Sequence, residues 1–182
     1  ETCDSSDSPV RGRRMRALSA ILIVLPLAGC VLVPENLPYD IQPVPASAET
    51  EPMRGRGDRA DDPAIWLHPV DASRSLILGT NKTEGLYVYS LSGNELQRLP
   101  VGMVNNVDIR GSLAVASSDG VNALSWFQVE PNRVDEPVRH LGDTHVQRTE
   151  PYGVCLGRID GKLVAGVTYK DGAVELWRAI ER

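Results

Sequence analysis

The chain has 182 residues, of which 19 are Lys or Arg and 24 are Asp or Glu, so its formal net charge is −5. This acidic balance argues against a general nucleic-acid-binding protein, because phosphate backbones attract a basic surface. A hydrophobic content of 42% argues against a disordered chain, and three cysteines are too few for a disulfide-stapled scaffold.

The N-terminal residues have the pattern of an export signal. Basic residues at 11–16 precede an apolar run at 17–28, and the segment closes with Leu-Ala-Gly-Cys at 27–30. The run is too short to span a bilayer, which needs about 20 apolar residues, so we predict a signal peptide over residues 1–29 with Met15 as the true start. The ending resembles a bacterial lipobox and implies an exported cell-envelope lipoprotein, attached to the membrane only through a lipid on Cys30. The alternative is an ordinary signal peptide with an incidental cysteine.

Residues 30–48 are predicted to form an extended tether. They contain four prolines and no alternating pattern, and proline stiffens such a segment. The folded domain is therefore predicted to span residues 49–182.

From Ile65 onward the sequence predicts an all-β domain. Short runs rich in Val, Ile, Leu and Tyr are separated by Gly, Asn, Asp and Ser turns, which is typical of strands and hairpins. One hairpin pattern occurs three times, at residues 76–89, 113–127 and 163–177. Its recurrence favours a β-propeller, whose blades repeat at roughly 40–50 residues. The chain has room for about three blades and six would need on the order of 240–300 residues, so we expect the sequence to be cut short.

Several segments carry a resemblance to a known family. They are residues 49–52, 57–66, 80–82, 105–110, 150–153 and 167–172. In this order they resemble the β-propeller (alkaline) phytases. The resemblance implies a six-bladed propeller that removes phosphates from phytate with calcium ions clustered at one mouth of its channel. It also implies that this chain is the N-terminal half, and we expect the complete protein to be a monomer.

Three carboxylates lie close together at Asp58, Asp61 and Asp62, and carboxylate oxygens are ligands that Ca²⁺ prefers. Pro63 favours an extended backbone at Asp62, and neighbouring side chains of an extended chain point to opposite faces. Asp61 and Asp62 are therefore predicted to serve different sites. By resemblance, Asp61 faces the catalytic calcium ions, while Asp62 and Glu49 hold a structural calcium. The alternative for this acidic group is a solvated turn before a strand.

Lys82 and Lys170 lie at equivalent points of two of the repeated hairpins. An ammonium group there can bind a phosphate oxygen as a point charge, although most turn lysines are simply solvated. The resemblance implies that both lysines contact phosphate and that Tyr152 donates a hydrogen bond to the substrate, with Asp61, Lys82 and Tyr152 in the catalytic group. Three polar residues of a matched segment either contribute to the site or order a tight turn: Asn105, Asn106 and Asp108.

One position departs from the family pattern. Where the family has a phosphate-binding Arg in the second hairpin, this chain has Asp119. A carboxylate there weakens phosphate affinity, unless Arg110 or Arg148 compensates from elsewhere.

The resulting expectation is a calcium-dependent phosphomonoester hydrolase of the 3-phytase type, acting on phytate or another phosphorylated small molecule. The alternative is a non-catalytic propeller lipoprotein that binds an extracellular ligand or partner. The family's remaining acidic calcium ligands belong to blades beyond Arg182. We therefore expect this chain alone to be inactive and poorly soluble.

Overall fold

The computed structural model describes residue 40 and residues 42–178. Contacts divide the chain into the units Glu1–Pro43 and Val44–Arg182, and all helices and strands described below lie in the second unit. The predicted signal peptide, the predicted lipidation site Cys30 and most of the predicted tether lie outside the described residues. None of the helical segments that the structure describes has the length and apolar character needed to cross a membrane.

The second unit is built from eleven antiparallel strands and a short 3₁₀ turn at Ala72–Arg74 within the described residues. The strands are β1 Ala60–Trp66, β2 Leu76–Asn81, β3 Gly85–Ser90, β4 Glu95–Leu99, β5 Val104–Arg110, β6 Leu113–Ser118, β7 Ala123–Val129, β8 Val138–His145, β9 Pro151–Ile159, β10 Lys162–Tyr169 and β11 Val174–Arg178. The all-β prediction is confirmed. The three predicted hairpins correspond to β2–β3, β6–β7 and β10–β11.

The strands form three separate sheets, each with its members in chain order. The first sheet contains β1 to β4, the second β5 to β8 and the third β9 to β11. The first strand of each sheet contacts the first strand of the next, since β5 packs against both β1 and β9. This places the first strands on the inner side of a stack of sheets, as in the blades of a propeller. The structure agrees with a partial β-propeller of three blades.

Two apolar layers join the three sheets. Between the first and second sheets, Leu78 and Phe127 are fully buried. Strand β6 contributes small residues to both layers, because Ala116 faces the first sheet while Val115 faces the third. The second sheet is thus covered on both faces, and each large side chain that it buries stabilises the fold by about 1.5–3 kcal/mol.

The outer face of the first sheet is covered by the segment that precedes β1. Glu51 N donates a hydrogen bond to Gly93 O at 2.8 Å, and the segment then passes the β2 residue Gly79, where Met53 packs closely. Gly93 has φ +90, and a Cβ at this residue would collide with the Glu49 carbonyl oxygen. The close approach of these two backbone segments therefore requires glycine. Beneath the segment, the Tyr89 ring is almost completely buried.

Candidate functional site

The three sheets repeat one hydrogen bond at the same end. In each sheet a hydroxyl oxygen near the end of the second strand accepts a hydrogen bond. The donor is the backbone N–H of a residue near the start of the first strand. The pairs are Asp62 N with Thr80 Oγ1 at 2.9 Å, Asn106 N with Ser117 Oγ at 3.1 Å, and Gly153 N with Thr168 Oγ1 at 3.0 Å. This repeat fixes which residues are equivalent from sheet to sheet.

Two sets of equivalent residues follow from this repeat. One set precedes the N–H donors, and the other begins the turn after the second strand of each sheet. Both sets lie at this end of the sheets. We call these six residues the turn-end rim: Asp61, Asn105 and Tyr152 in the first set, Lys82, Asp119 and Lys170 in the second. The first strands are innermost, so the rim borders the inner side of the stack. The predicted equivalence of Lys82 and Lys170 agrees with this geometry.

Lys82 is held between two carboxylates of the first sheet. Its Nζ lies 2.8 Å from Asp58 Oδ2 and 3.3 Å from Asp61 Oδ1. Its backbone N–H donates to the carbonyl oxygen of Arg59 at 2.9 Å, which ties the turn to the chain entering β1. The hydrogen bond to Asp58 is the main reason that the pKa of Lys82 is raised. Lys82 is therefore a fixed cation at neutral pH.

Lys170 has a similar environment, but its two carboxylates come from different sheets. Its Nζ lies 3.1 Å from Glu150 Oε1, just before β9, and 3.5 Å from Asp119 Oδ2 in the second sheet. The ammonium group also lies 5.8 Å from the centroid of the Tyr152 ring, within the range of a cation–π contact. The hydrogen bond to Glu150 contributes most to the raised pKa of Lys170. The structure thus brings together Lys170, Tyr152 and Asp119.

The carboxylates of Asp61 and Asp62 contact different partners. Asp61 faces Lys82, whereas Asp62 Oδ2 accepts a hydrogen bond from Val107 N of the second sheet at 3.0 Å. Glu49 is not brought to Asp62. Its backbone lies beside Gly93, and Gly93 belongs to the β3–β4 turn, at the end of the first sheet opposite to Asp62. The predicted calcium role of Asp62 and Glu49 remains a prediction.

Three polar residues for which the sequence left two possibilities take separate positions. Asn105 is buried on the rim, and its side-chain amide lies 3.5 Å from the carbonyl oxygen of Pro151, at the start of the third sheet. Asn106 Oδ1 is buried without a hydrogen-bond partner among the described residues. Asp108 Oδ2 accepts a hydrogen bond from Leu156 N at 2.7 Å. Asp108 therefore connects the second sheet to the third and lies away from the rim.

Sequence reasoning missed Glu150 as a member of the site. It lies in a matched segment and precedes Pro151, where it adopts φ +57, unusual for a residue other than glycine. A signal was present, because Glu150 stands before β9 much as Asp58 stands before β1. Both acidic residues end up against the lysine of their own sheet.

Comparison with known proteins identifies the chain's relatives. A family model described as Phytase matches residues 13–176. The chain belongs to the phytase family. It is 30% identical over 154 residues to a 3-phytase of Bacillus subtilis (strain 168), an alignment that covers 76% of this chain and 40% of that protein. The chain therefore spans less than half the length of this relative. A solved structure, the crystal structure of a nidogen/laminin complex, aligns with a TM-score of 0.41 and 14% identity, covering 66% of this chain and 49% of the other.

Two carboxylates of the first sheet offer the kind of oxygen that a calcium ion binds. The carboxylates of Asp58 and Asp61 converge on one cation, the Lys82 ammonium group, and a hard divalent cation prefers such oxygen ligands. Across residue 40 and residues 42–178, no three His, Cys, Asp or Glu side chains are grouped so that they could hold a metal ion. The two carboxylates fit calcium in kind, and they would need further oxygen ligands to complete its coordination.

Proposed function

We propose that the complete protein is a calcium-dependent phosphomonoester hydrolase of the 3-phytase type that releases phosphate from phytate, myo-inositol hexakisphosphate. The observation that carries this proposal is the equivalent placement of Lys82 and Lys170 on the rim. Two sheets present an ammonium group at the same structural position, each fixed by two carboxylates. Membership of the phytase family and similarity to a 3-phytase support the same reaction.

The charge balance of the two rim lysines and the four carboxylates around them supports a requirement for calcium. Four carboxylates contact the two lysines, so these six side chains carry two net negative charges. A substrate crowded with phosphates needs positive charge in its site. Bound calcium would supply that charge and lower the pKa of a bound water. Asp58 and Asp61 are the residues that we propose as its ligands in this chain.

The chain's own residues would bind and orient the substrate. Lys82 and Lys170 provide ammonium groups for phosphoryl oxygens, and such charge-assisted contacts are stronger than neutral hydrogen bonds. Tyr152 is 41% exposed beside Lys170, so its hydroxyl could donate a hydrogen bond to a substrate oxygen. Asp61 keeps Lys82 in place and lies on the inner strand, where a phosphoryl group bound by that lysine would arrive.

We also propose that the protein is exported and anchored in a bacterial cell envelope through a lipid on Cys30, with residues 30–48 as its tether. This proposal rests on the basic, apolar and Leu-Ala-Gly-Cys pattern of the N-terminal sequence. Replacement of Cys30 with Ser should release the protein from the membrane fraction or block its processing. Unchanged processing and membrane association would contradict it.

Phosphate release from phytate by the complete protein tests the proposed reaction. Activity should require added calcium and disappear with a chelator. Lys82→Ala and Lys170→Ala should each raise KM at least about tenfold, as expected for a lost charge-assisted contact. Lys162→Ala is a matched control, because Lys162 is an exposed lysine at the start of β10, the strand that Lys170 follows.

Two outcomes would contradict the proposal. Phosphate release that is unaffected by Lys82→Ala and Lys170→Ala would place the site elsewhere. Phytate binding without any release would favour the alternative, a propeller lipoprotein that binds a ligand without catalysis.

A further inference from the structure

Asp119 occupies, in the second sheet, the rim position that a lysine occupies in the first and third sheets. It is the first residue of the turn after β6, as Lys82 follows β2 and Lys170 follows β10. Its side chain is 18% exposed, and Oδ2 lies 3.5 Å from Lys170 Nζ. The middle of the described rim is therefore a carboxylate between two ammonium positions.

The carboxylate of Asp119 retains acceptor capacity after its contact with Lys170. Oδ1 is buried and accepts no hydrogen bond from any residue that the structure describes, so Oδ2, beside Lys170, is the oxygen that a substrate group can reach. An ionised carboxylate has lone pairs for about four hydrogen bonds and no proton to donate. A substrate group that approaches Lys170 therefore meets Oδ2, which keeps lone pairs for a further donor.

The two groups found on phosphorylated polyols interact with such an acceptor in opposite ways. A hydroxyl group donates a hydrogen bond to a carboxylate, and this bond is charge-assisted. A phosphate monoester above about pH 6 is mainly a dianion, so it has no proton to offer and is repelled by the like charge. The pairing of Lys170 with Asp119 is thus complementary to a phosphate whose neighbour on the ring is a free hydroxyl.

We propose that Asp119 is a specificity-determining residue that shifts the preference of this protein toward phosphate monoesters with a free hydroxyl beside the phosphate, such as partly phosphorylated inositols. Inositol hexakisphosphate, which has no free hydroxyl, is disfavoured at this position. The inference rests on the proposed function, since it assigns a substrate class to the same rim.

The test compares two substrates on the complete protein, inositol hexakisphosphate and an inositol monophosphate. Asp119→Asn keeps the size of the side chain and removes its charge. Asp119→Ala removes the acceptor as well. Both variants should raise the ratio of kcat/KM for the hexakisphosphate to kcat/KM for the monophosphate, by about tenfold for a charge-assisted contact. Thermal melting would show that both variants remain folded.

Asp171→Asn is the matched control. Asp171 follows Lys170 directly in the same turn, and its carboxylate is paired with Arg148 at 2.5 Å. The same change of charge at this neighbouring residue should leave the substrate ratio within about twofold of the wild-type value. An unchanged ratio in Asp119→Asn, or an equal shift in Asp171→Asn, would overturn the proposal.

Different results would contradict the proposed function and the role of Asp119. A wild-type protein that releases phosphate from neither substrate contradicts the hydrolase, and calorimetric binding of the same two compounds then tests Asp119 alone. Asp119→Asn should raise the affinity for the hexakisphosphate relative to that for the monophosphate by about tenfold. Equal relative affinities in wild type and variant would overturn the role of Asp119 whether or not the protein is an enzyme.

Discussion

The carboxylate of Asp62 accepts a hydrogen bond from the backbone N–H of Val107 at 3.0 Å and so joins the first sheet to the second. Asp108 makes the same kind of bond to Leu156 N at 2.7 Å and joins the second sheet to the third. Val107 and Leu156 are both buried, so each N–H would lose its partner away from water if the carboxylate were removed. The inner strands are therefore connected by charged acceptors in addition to apolar contacts.

Removal of either carboxylate should destabilise the complete protein. Asp62→Ala and Asp108→Ala should each lower the free energy of unfolding by about 1.5–3 kcal/mol, the usual cost of losing a hydrogen bond to a charged group. Denaturant unfolding measures this effect, with Asp135→Ala as a control because Asp135 is exposed in a loop. If Asp62 is also a calcium ligand, its loss should cost more with calcium than with a chelator, whereas the cost of Asp108→Ala should not change. Stabilities equal to that of Asp135→Ala would contradict the bridging role.

The sequence predicted the sheets well because the blade repeat is local. Each hairpin carries its own alternation and turn, so β2–β3 and β6–β7 follow from short windows, and Lys82 and Lys170 fall at equivalent turns for the same reason. Contacts between sheets are different. The approach of Asp119 to Lys170, and of Asp62 to Val107, depends on how one blade stacks on the next, and no local pattern encodes that distance.

Replacement of Gly93 should detach the segment that covers the first sheet. Alanine at this residue would adopt an unfavourable positive φ and collide with the Glu49 carbonyl oxygen, so we expect a loss of at least about 2 kcal/mol in unfolding free energy. Gly102→Ala separates the two causes, since Gly102 has φ +87 but open space around a Cβ. Amide hydrogen exchange should increase at Tyr89 in the Gly93 variant and not in the Gly102 variant. Equal effects of the two substitutions would show that backbone strain, and not the covering segment, determines the loss.

The buried phenol of Tyr89 should make stability fall at high pH. Burial raises the pKa of Tyr89 to about 12 from its usual value of 10, since the charged form loses its hydration. The folded state thus holds this proton more tightly than the unfolded state. Its contribution to stability is complete below pH 10 and is lost as the pH rises toward 12. The Tyr89 hydroxyl has no hydrogen-bond partner among the described residues, so Tyr89→Phe should fold normally at pH 7.

Chemical unfolding of wild type and Tyr89→Phe between pH 8 and pH 12 measures this contribution. The stability difference between the two proteins should be constant up to about pH 10 and should then move in favour of the variant. Tyr169, whose pKa burial also raises, contributes equally to both proteins and cancels in the comparison. A difference that does not vary with pH would show that Tyr89 ionises as readily in the folded protein as in the unfolded chain.

Residues 30–182 expressed alone should self-associate through the third sheet. Val174 and Leu176 of β11 are 65% and 66% exposed, and β11 is an edge strand of its sheet within the described residues. Apolar side chains on an open strand edge favour pairing with another chain. Sedimentation velocity should therefore show oligomers. The double variant with Val174→Lys and Leu176→Lys should be mainly monomeric, because charge on a strand edge opposes pairing. Val70→Lys is the control, since Val70 is 90% exposed in the β1–β2 loop and its replacement should leave association unchanged. A monomeric wild-type chain, or equal effects of the loop and edge substitutions, would show that the third sheet is not the surface of association.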